Sequence, residues 1–134
     1  MGKKIVRVVL ATLAVAVACA VIDMLLHGLI LGKSYAATAQ LWRPEPEMKM
    51  LLMEVVTFLA AFTFVIVYAR FFRRKTIAAG LEYGLWFGLG AGLAMGFGTY
   101  SVMPIPFHMG LAWFLGTLVE SLVAGLLVGL IVRD

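Results

Sequence analysis

Long apolar segments alternate with short polar ones along the whole chain, and this alternation is the strongest signal in the sequence. A helix that crosses a bilayer needs about 20 predominantly apolar residues, because each residue advances the helix by about 1.5 Å. Four segments meet this requirement, namely residues 5–31, 50–72, 77–103 and 109–132. The pattern therefore predicts an all-α integral membrane four-helix bundle that forms one transmembrane domain over residues 1–134.

The basic residues predict how these helices are oriented. With both termini on one side of the membrane, that side holds Lys3, Lys4, Arg7, Arg70, Arg73, Arg74, Lys75 and Arg133. The other side holds only Lys33, Arg43 and Lys49. Since lysine and arginine concentrate on the cytoplasmic side of membrane proteins, we expect both termini to be cytoplasmic.

Composition excludes several classes of protein. The chain is 63% hydrophobic and 13% charged, whereas an average soluble domain has about 25% charged residues. The net charge of +4 does not indicate nucleic-acid binding, because the cations lie at helix ends and not in a stripe with interleaved aromatic residues. The single Cys19 excludes an internal disulfide, and neither a cofactor motif nor a metal-ligand spacing is present.

Small residues recur every four positions in the third and fourth segments. The predicted helix-packing residues of this glycine zipper are Gly80, Gly84, Gly88, Gly92 and Gly96, together with Gly125 and Gly129. Small residues at this spacing let two helix backbones approach closely within a bilayer. We expect either internal packing of the third helix on the fourth or an interface between copies of the chain.

Each apolar segment carries one acidic residue: Asp23, Glu54, Glu82 and Glu120. A charged side chain at the bilayer centre costs at least ~2.5 kcal/mol, so such residues face a bundle interior or an aqueous cavity. Glu120 lies about 16 Å from the outer end of its helix, near the midplane. Glu82 lies near the cytoplasmic end, where an ion pair with Arg73 or Arg74 explains it.

Asp23 and His27 stand four residues apart, and therefore share one helix face. We predict a polar cluster that opens to the outer side and contains Asp23, His27, Glu54 and Glu120. His108 and Tyr100 lie at its mouth. Three interpretations of the cluster compete: interhelical hydrogen bonding with a protonated Glu120, a relay for protons or cations, and a metal or haem site. No nucleophile–base arrangement or phosphate loop is evident, so we expect no enzymatic activity.

A resemblance to a known group starts at His27-Gly28-Leu29-Ile30-Leu31-Gly32-Lys33-Ser34-Tyr35. Met48 before the second helix and a glycine-rich third helix that ends at Pro104 extend it. The chain resembles small bacterial four-helix integral membrane proteins of an uncharacterised domain family, although that group more often has Trp-Tyr where this chain has His27-Gly28. The resemblance implies a topology and a bacterial source, and it implies no activity.

Two functional hypotheses follow from these observations. The first is a multi-pass protein of the bacterial inner membrane that transports a small cation or a proton-coupled solute. Four spans rarely enclose a pore alone, so this hypothesis requires a homo-oligomer in the lipid bilayer. The alternative is a non-catalytic accessory or scaffold subunit of a larger membrane complex.

Overall fold

The computed structural model describes residues 2–133, and the regular structure in this range is helical. Four helices are long and apolar enough to cross a membrane: Gly2–Ile30, Met50–Phe71, Ile77–Val102 and Phe107–Ile131. Their ends lie within three residues of the ranges that the apolar pattern predicts. The prediction of an all-helical fold with four helices of spanning length is confirmed.

Two of these helices change their winding near the predicted outer side. Helix α1 (Gly2–Asp23) continues as a π-helical segment over Met24–Ile30. Helix α4 (Ile77–Leu93) continues as a π-helical segment over Ala94–Gly98 and then as helix α5 (Thr99–Val102). The remaining helices are α2 (Gly32–Ala37), α3 (Met50–Phe71) and α6 (Phe107–Ile131). Short π-helical segments are rare, and they occur frequently at functional sites.

The polar stretch over residues 32–49 is more ordered than its composition suggests. It contains α2 and two 3₁₀ turns, Ala39–Leu41 and Glu45–Glu47. Its apolar side chains pack on the buried side chains of Leu31, Ile105 and Met109. Burial of these side chains removes apolar surface from water, so the stretch covers the outer end of the bundle.

The glycine row of α4 lies directly against α6. A β-carbon added at Gly80 would overlap the carbonyl oxygen of Gly125, and one added at Gly84 would overlap that of Ser121. One added at Gly96 would overlap the carbonyl oxygen of Gly110. The backbones of the two helices are therefore in direct contact, which only glycine permits.

Helix α6 is the central element of the bundle, because it contacts α1 and α3 as well as α4. Its inner half contributes Ala124, Val128 and the nearby Val132 to a core that also contains Val15 and Val65. Tyr68 is completely buried beside this core and donates a hydrogen bond of 2.8 Å to the carbonyl oxygen of Thr76. The inner half of the bundle is therefore a closed apolar core.

The outer half of α3 has few contacts with the other helices. Its buried residues are Ala61, Phe64, Val65 and Tyr68, all in the inner half. From residue 50 to residue 60 every side chain except that of Thr57 is exposed. In a single copy of the chain, about three turns of an apolar helix are therefore uncovered.

Candidate functional site

The site begins where the π-helical segment after α1 meets the middle part of α6. A β-carbon at Gly116 would overlap the side chain of Leu26, so the absence of a side chain at Gly116 lets the π-helical segment lie close to α6. Trp113 and Glu120 lie on α6 on either side of Gly116, at spacings of three and four that place all three on one helix face. This face of α6 therefore meets the polar residues of the first spanning helix.

The carboxyl groups of Asp23 and Glu120 are adjacent at this contact. They are close enough to interact with each other, and Cys19 is close enough to interact with both. Glu120 Oε1 is buried and has no hydrogen-bond partner in the part of the chain that the structure describes. Two ionised carboxylates cannot hydrogen-bond to each other, whereas a pair that shares one proton can.

His27 extends this pair towards the outer side. Its Nε2 lies 3.5 Å from Asp23 Oδ1, which is long for a hydrogen bond and short enough for an ion pair when the imidazole is protonated. The π-helical winding is visible in the backbone, where the N–H of Leu31 donates to the carbonyl oxygen of Leu26 at 2.8 Å. His27 thus lies inside the rewound segment, directly above Asp23.

Tyr35 of α2 connects His27 to α6. Its hydroxyl oxygen lies 2.6 Å from His27 Nδ1, and it accepts a hydrogen bond of 2.9 Å from Trp113 Nε1. The ring of Trp42 lies edge-on to the rings of both Tyr35 and Trp113, with centroid distances of 5.4 and 6.0 Å. Trp42 in turn donates from Nε1 to Thr38 Oγ1 at 2.9 Å. These rings form an aromatic cap over the polar residues.

The hydrogen bonds that lead from Trp113 through Tyr35 and His27 to Asp23 can all run in one direction. An indole N–H can only donate, so Trp113 donates to Tyr35, and the Tyr35 hydroxyl is then available to donate to His27 Nδ1. With Nδ1 as the acceptor, the neutral imidazole carries its proton on Nε2, which faces Asp23. Asp23 is therefore the last acceptor in this series of hydrogen bonds. His27 approaches it from one side and Glu120 from the other.

The environment of Tyr35 disfavours its ionisation. Partial burial and the nearby charge of Asp23 raise the pKa of the Tyr35 phenol, while the hydrogen bond from Trp113 opposes the rise. Tyr35 consequently remains a hydroxyl donor at neutral pH, as its hydrogen bond to His27 Nδ1 requires.

The site is open on one side and closed on the other. The side chains of Asp23 and His27 are 41% and 42% exposed. Below Glu120, the apolar inner core of Val15, Val65 and Val128 fills the space between α1, α3 and α6. Polar groups therefore reach from the predicted outer end of the bundle to the middle of the helices and stop at the apolar core.

Three of the predicted cluster residues come together, and three do not. Asp23, His27 and Glu120 are adjacent. Glu54 is exposed on the outer half of α3 and has no hydrogen bond or ion pair among the described residues, because that half of the helix does not pack on the bundle. His108 Nε2 instead contacts Ser34 Oγ at 2.7 Å, and Tyr100 packs edge-on against Phe107.

Within residues 2–133 the structure shows neither the predicted ion pair of Glu82 nor a group of metal ligands. Glu82 is exposed and forms no ion pair with Arg73 or Arg74. No group of three or more histidine, cysteine, aspartate or glutamate side chains has an arrangement that holds a metal ion.

The sequence analysis did not identify Tyr35 and Trp113 as members of the site. For Trp113 a signal was present, because it precedes Glu120 by seven residues and thus lies on the same helix face. For Tyr35 no comparable signal exists, since its contact with His27 depends on how the stretch after Leu31 folds back.

Comparison with known proteins gives no match to a family model, to a curated protein or to a solved structure. The resemblance to the bacterial four-helix group stays a prediction from short motifs. Functional inference therefore depends on the geometry of the site.

Proposed function

We propose that the protein is a small membrane transport unit in which Tyr35, His27, Asp23 and Glu120 relay protons between the outer surface and mid-depth. The observation that carries this proposal is the series of neighbouring proton-exchanging side chains, with distances of 2.6 Å from Tyr35 to His27 and 3.5 Å from His27 to Asp23. Acidic and histidine side chains inside membrane proteins mark proton pathways in pumps and transporters.

A proton is a better cargo for this site than a metal cation. Hard cations need about six oxygen ligands, and the site provides the two adjacent carboxyl groups of Asp23 and Glu120. A proton needs only a donor and an acceptor in contact. A carboxyl pair of this kind holds one proton between its members, because like charges this close cannot both be ionised in a partly desolvated site.

The closed inner core favours proton release through a movement of the helices over an open proton channel. Protons that reach Glu120 from outside meet the core around Val15, Val65 and Val128 and go no further in this conformation. Release to the inner side requires α1 to move relative to α6. The close passage of Leu26 over Gly116 is the contact about which such a movement would occur.

The transport unit is proposed to be a homo-oligomer in a bacterial inner membrane, with both termini in the cytoplasm. Supporting this, Asp23 and His27 are two-fifths exposed within a helix of spanning length, where polar side chains normally face protein or water. Another copy of the chain against the open side would shield them. The distribution of basic residues supports the orientation.

The uncovered outer half of α3 favours a second candidate, an accessory subunit of a larger membrane complex. Leu51 is 80% exposed, and its neighbours Leu52 and Met53 are also exposed. Such a surface is available for packing against a different membrane protein. Under this alternative the Asp23–Glu120 pair is an interhelical hydrogen bond without a transport role.

Proton flux into liposomes tests the proposal. Purified protein is reconstituted into vesicles that contain a pH-sensitive dye, and an imposed gradient drives proton entry. Asp23→Asn and Glu120→Gln each remove a proton-exchanging carboxyl with little change of shape. The measured quantity is the proton flux after the flux into empty vesicles has been subtracted. We expect each substitution to lower it at least tenfold. Glu54→Gln and Glu82→Gln are matched controls, because they remove a carboxyl outside the relay, and we expect them to retain the wild-type flux.

Two results would contradict this function. Wild-type flux equal to that of empty vesicles, from protein shown to be folded, would exclude proton conduction and favour the accessory role. Equal flux from wild type, Asp23→Asn and Glu120→Gln would exclude the relay. Native mass spectrometry of gently extracted protein then distinguishes the candidates, since transport predicts a defined homo-oligomer and the accessory role predicts copurifying subunits.

A further inference from the structure

A small cavity lined by cations lies at the inner end of the bundle, opposite the polar cluster. Its volume is about 70 Å³, and it is lined by Lys4, Arg7, Val8, Ala69, Lys75, Val132 and Arg133. Four of these seven lining residues are basic, and none of them is acidic. The cations come from the start of α1, the turn before α4 and the segment after α6, so the fold itself assembles them.

A backbone hydrogen bond helps to position two of these cations. The Arg7 guanidinium donates through Nη1 to the carbonyl oxygen of Arg133, which joins the first and last spanning helices at the cavity. Arg7 is half-buried, whereas Lys4 and Arg133 are exposed. The guanidinium of Arg7 is therefore held in place, and Lys4, Lys75 and Arg133 also line the cavity.

A second, wider cavity adjoins the first. It has a volume of about 390 Å³, shares Lys75 and Arg133 with the first cavity and extends to Ile77 and Ala78. These two residues form the first turn of α4, whose N-terminus is capped by Thr76. The positive end of the helix dipole and its free N–H groups add to the preference for an anion.

We propose that the two cavities form one binding site for a phosphate group, and that an anionic phospholipid supplies it. Guanidinium groups bind phosphate oxygens through paired hydrogen bonds. Val8, Ala69 and Val132 give the cavity an apolar part of its lining, and the exposed apolar surfaces of the spanning helices are suited to acyl chains. Basic pockets between helix ends on the cytoplasmic side are suited to lipid headgroups. The site is independent of the proposed proton relay, which lies at the other end of the bundle.

Lipid retention and thermal stability test this site. Wild-type protein in detergent micelles is mixed with phosphatidylglycerol or with zwitterionic phosphatidylcholine. Bound lipid is then counted by native mass spectrometry, and the unfolding temperature is measured. We expect retained phosphatidylglycerol and a higher unfolding temperature with phosphatidylglycerol only. The double variant Lys4→Gln/Arg133→Gln should bind about 25-fold more weakly, at roughly fivefold for each cation near the membrane surface.

A matched control removes the same charge from the same end of the bundle. Arg73→Gln/Arg74→Gln leaves the lining residues intact, and we expect wild-type lipid retention. Arg7→Lys keeps the charge of the half-buried cation and should retain most of the binding. Equal loss of lipid in the lining and control double variants would overturn the site, because general surface charge would then explain the binding. Unchanged retention in the lining variant would overturn it as well.

Inorganic phosphate distinguishes the two sources of the group. If phosphate alone raises the unfolding temperature as much as phosphatidylglycerol does, and the lining variant loses both effects, the site belongs to a soluble phosphate compound and the lipid assignment is wrong. A response to phosphatidylglycerol without a response to phosphate supports the lipid. Neither result alters the expected proton flux, so the two proposals fail independently.

Discussion

Gly84 provides the most direct test of how the bundle is held together. A β-carbon at Gly84 would overlap the carbonyl oxygen of Ser121, with the carbonyl carbon of Ser121 at 2.9 Å and the Cα of Leu122 at 3.2 Å. Carbon atoms in contact prefer separations of about 3.5–4.0 Å, so α4 has to move away from α6 by about 0.5–1 Å. The groups that collide are backbone atoms, which cannot rotate away.

The expected cost of Gly84→Ala follows from two opposing effects. Overpacking of a tight interface costs about 1–3 kcal/mol, and collision with backbone places this site at the upper end. Alanine also has a better helix propensity than glycine by up to about 1 kcal/mol. The net loss in the free energy of unfolding is therefore about 2 kcal/mol, which corresponds to a fall of about 5–10 °C in the unfolding temperature.

Gly90→Ala is the matched control on the same helix. No atom lies within 4 Å of the position that its β-carbon would occupy, so only the gain in helix propensity remains. Thermal unfolding in detergent, followed by size-exclusion chromatography of the surviving folded protein, compares the two variants with wild type. If Gly84→Ala were as stable as Gly90→Ala, backbone contact between α4 and α6 would not limit stability, and the packing argument would be refuted.

Two further predictions concern the first spanning helix and its cap. Because the pKa of Tyr35 is raised in the folded protein, its contribution to stability is present below the ordinary tyrosine value of about 10 and is lost as the pH rises through the folded value. Wild type should therefore lose stability more steeply than Tyr35→Phe in unfolding measured above about pH 10, and identical slopes would contradict the burial of this phenol. Gly116→Ala would collide with the flexible end of the Leu26 side chain, so we expect a smaller loss of stability than for Gly84→Ala. The same variant should lower proton flux severalfold by displacing Leu26 and the neighbouring side chains of Asp23 and His27, and a wild-type flux would show that this contact does not hold the relay together.

Part of the site was accessible from local spacing alone. Asp23 and His27 are four residues apart on a helix, and the structure places them 3.5 Å apart. Glu120 was indicated by its depth, because an acidic residue near the middle of an apolar helix needs a partner. The sequence of neither helix shows that Asp23 is the partner of Glu120. That pairing depends on the close passage of Leu26 over Gly116.

Glu54 shows the limit of reasoning from depth. It lies near the outer end of its helix, as His27 does, yet it does not join the cluster. Depth follows from position along one helix, whereas the direction in which a side chain faces depends on how that helix packs. The apolar residues around Glu54 are spread over all sides of α3, so no stripe in the sequence indicated which side faces the bundle.

The sequence by itself determined the elements of this protein, and the tertiary structure decided their neighbours. Four apolar runs of spanning length, bounded by prolines and charges, specify four helices because burial of apolar side chains and internal satisfaction of backbone hydrogen bonds are local requirements. The spacing of Gly80, Gly84 and Gly88 likewise indicated a close helix contact, but it did not show which helix is the partner. Contacts such as Tyr35 to Trp113 and Asp23 to Glu120 join residues far apart in the chain, and they exist only once the packing of whole helices has set the distances between them.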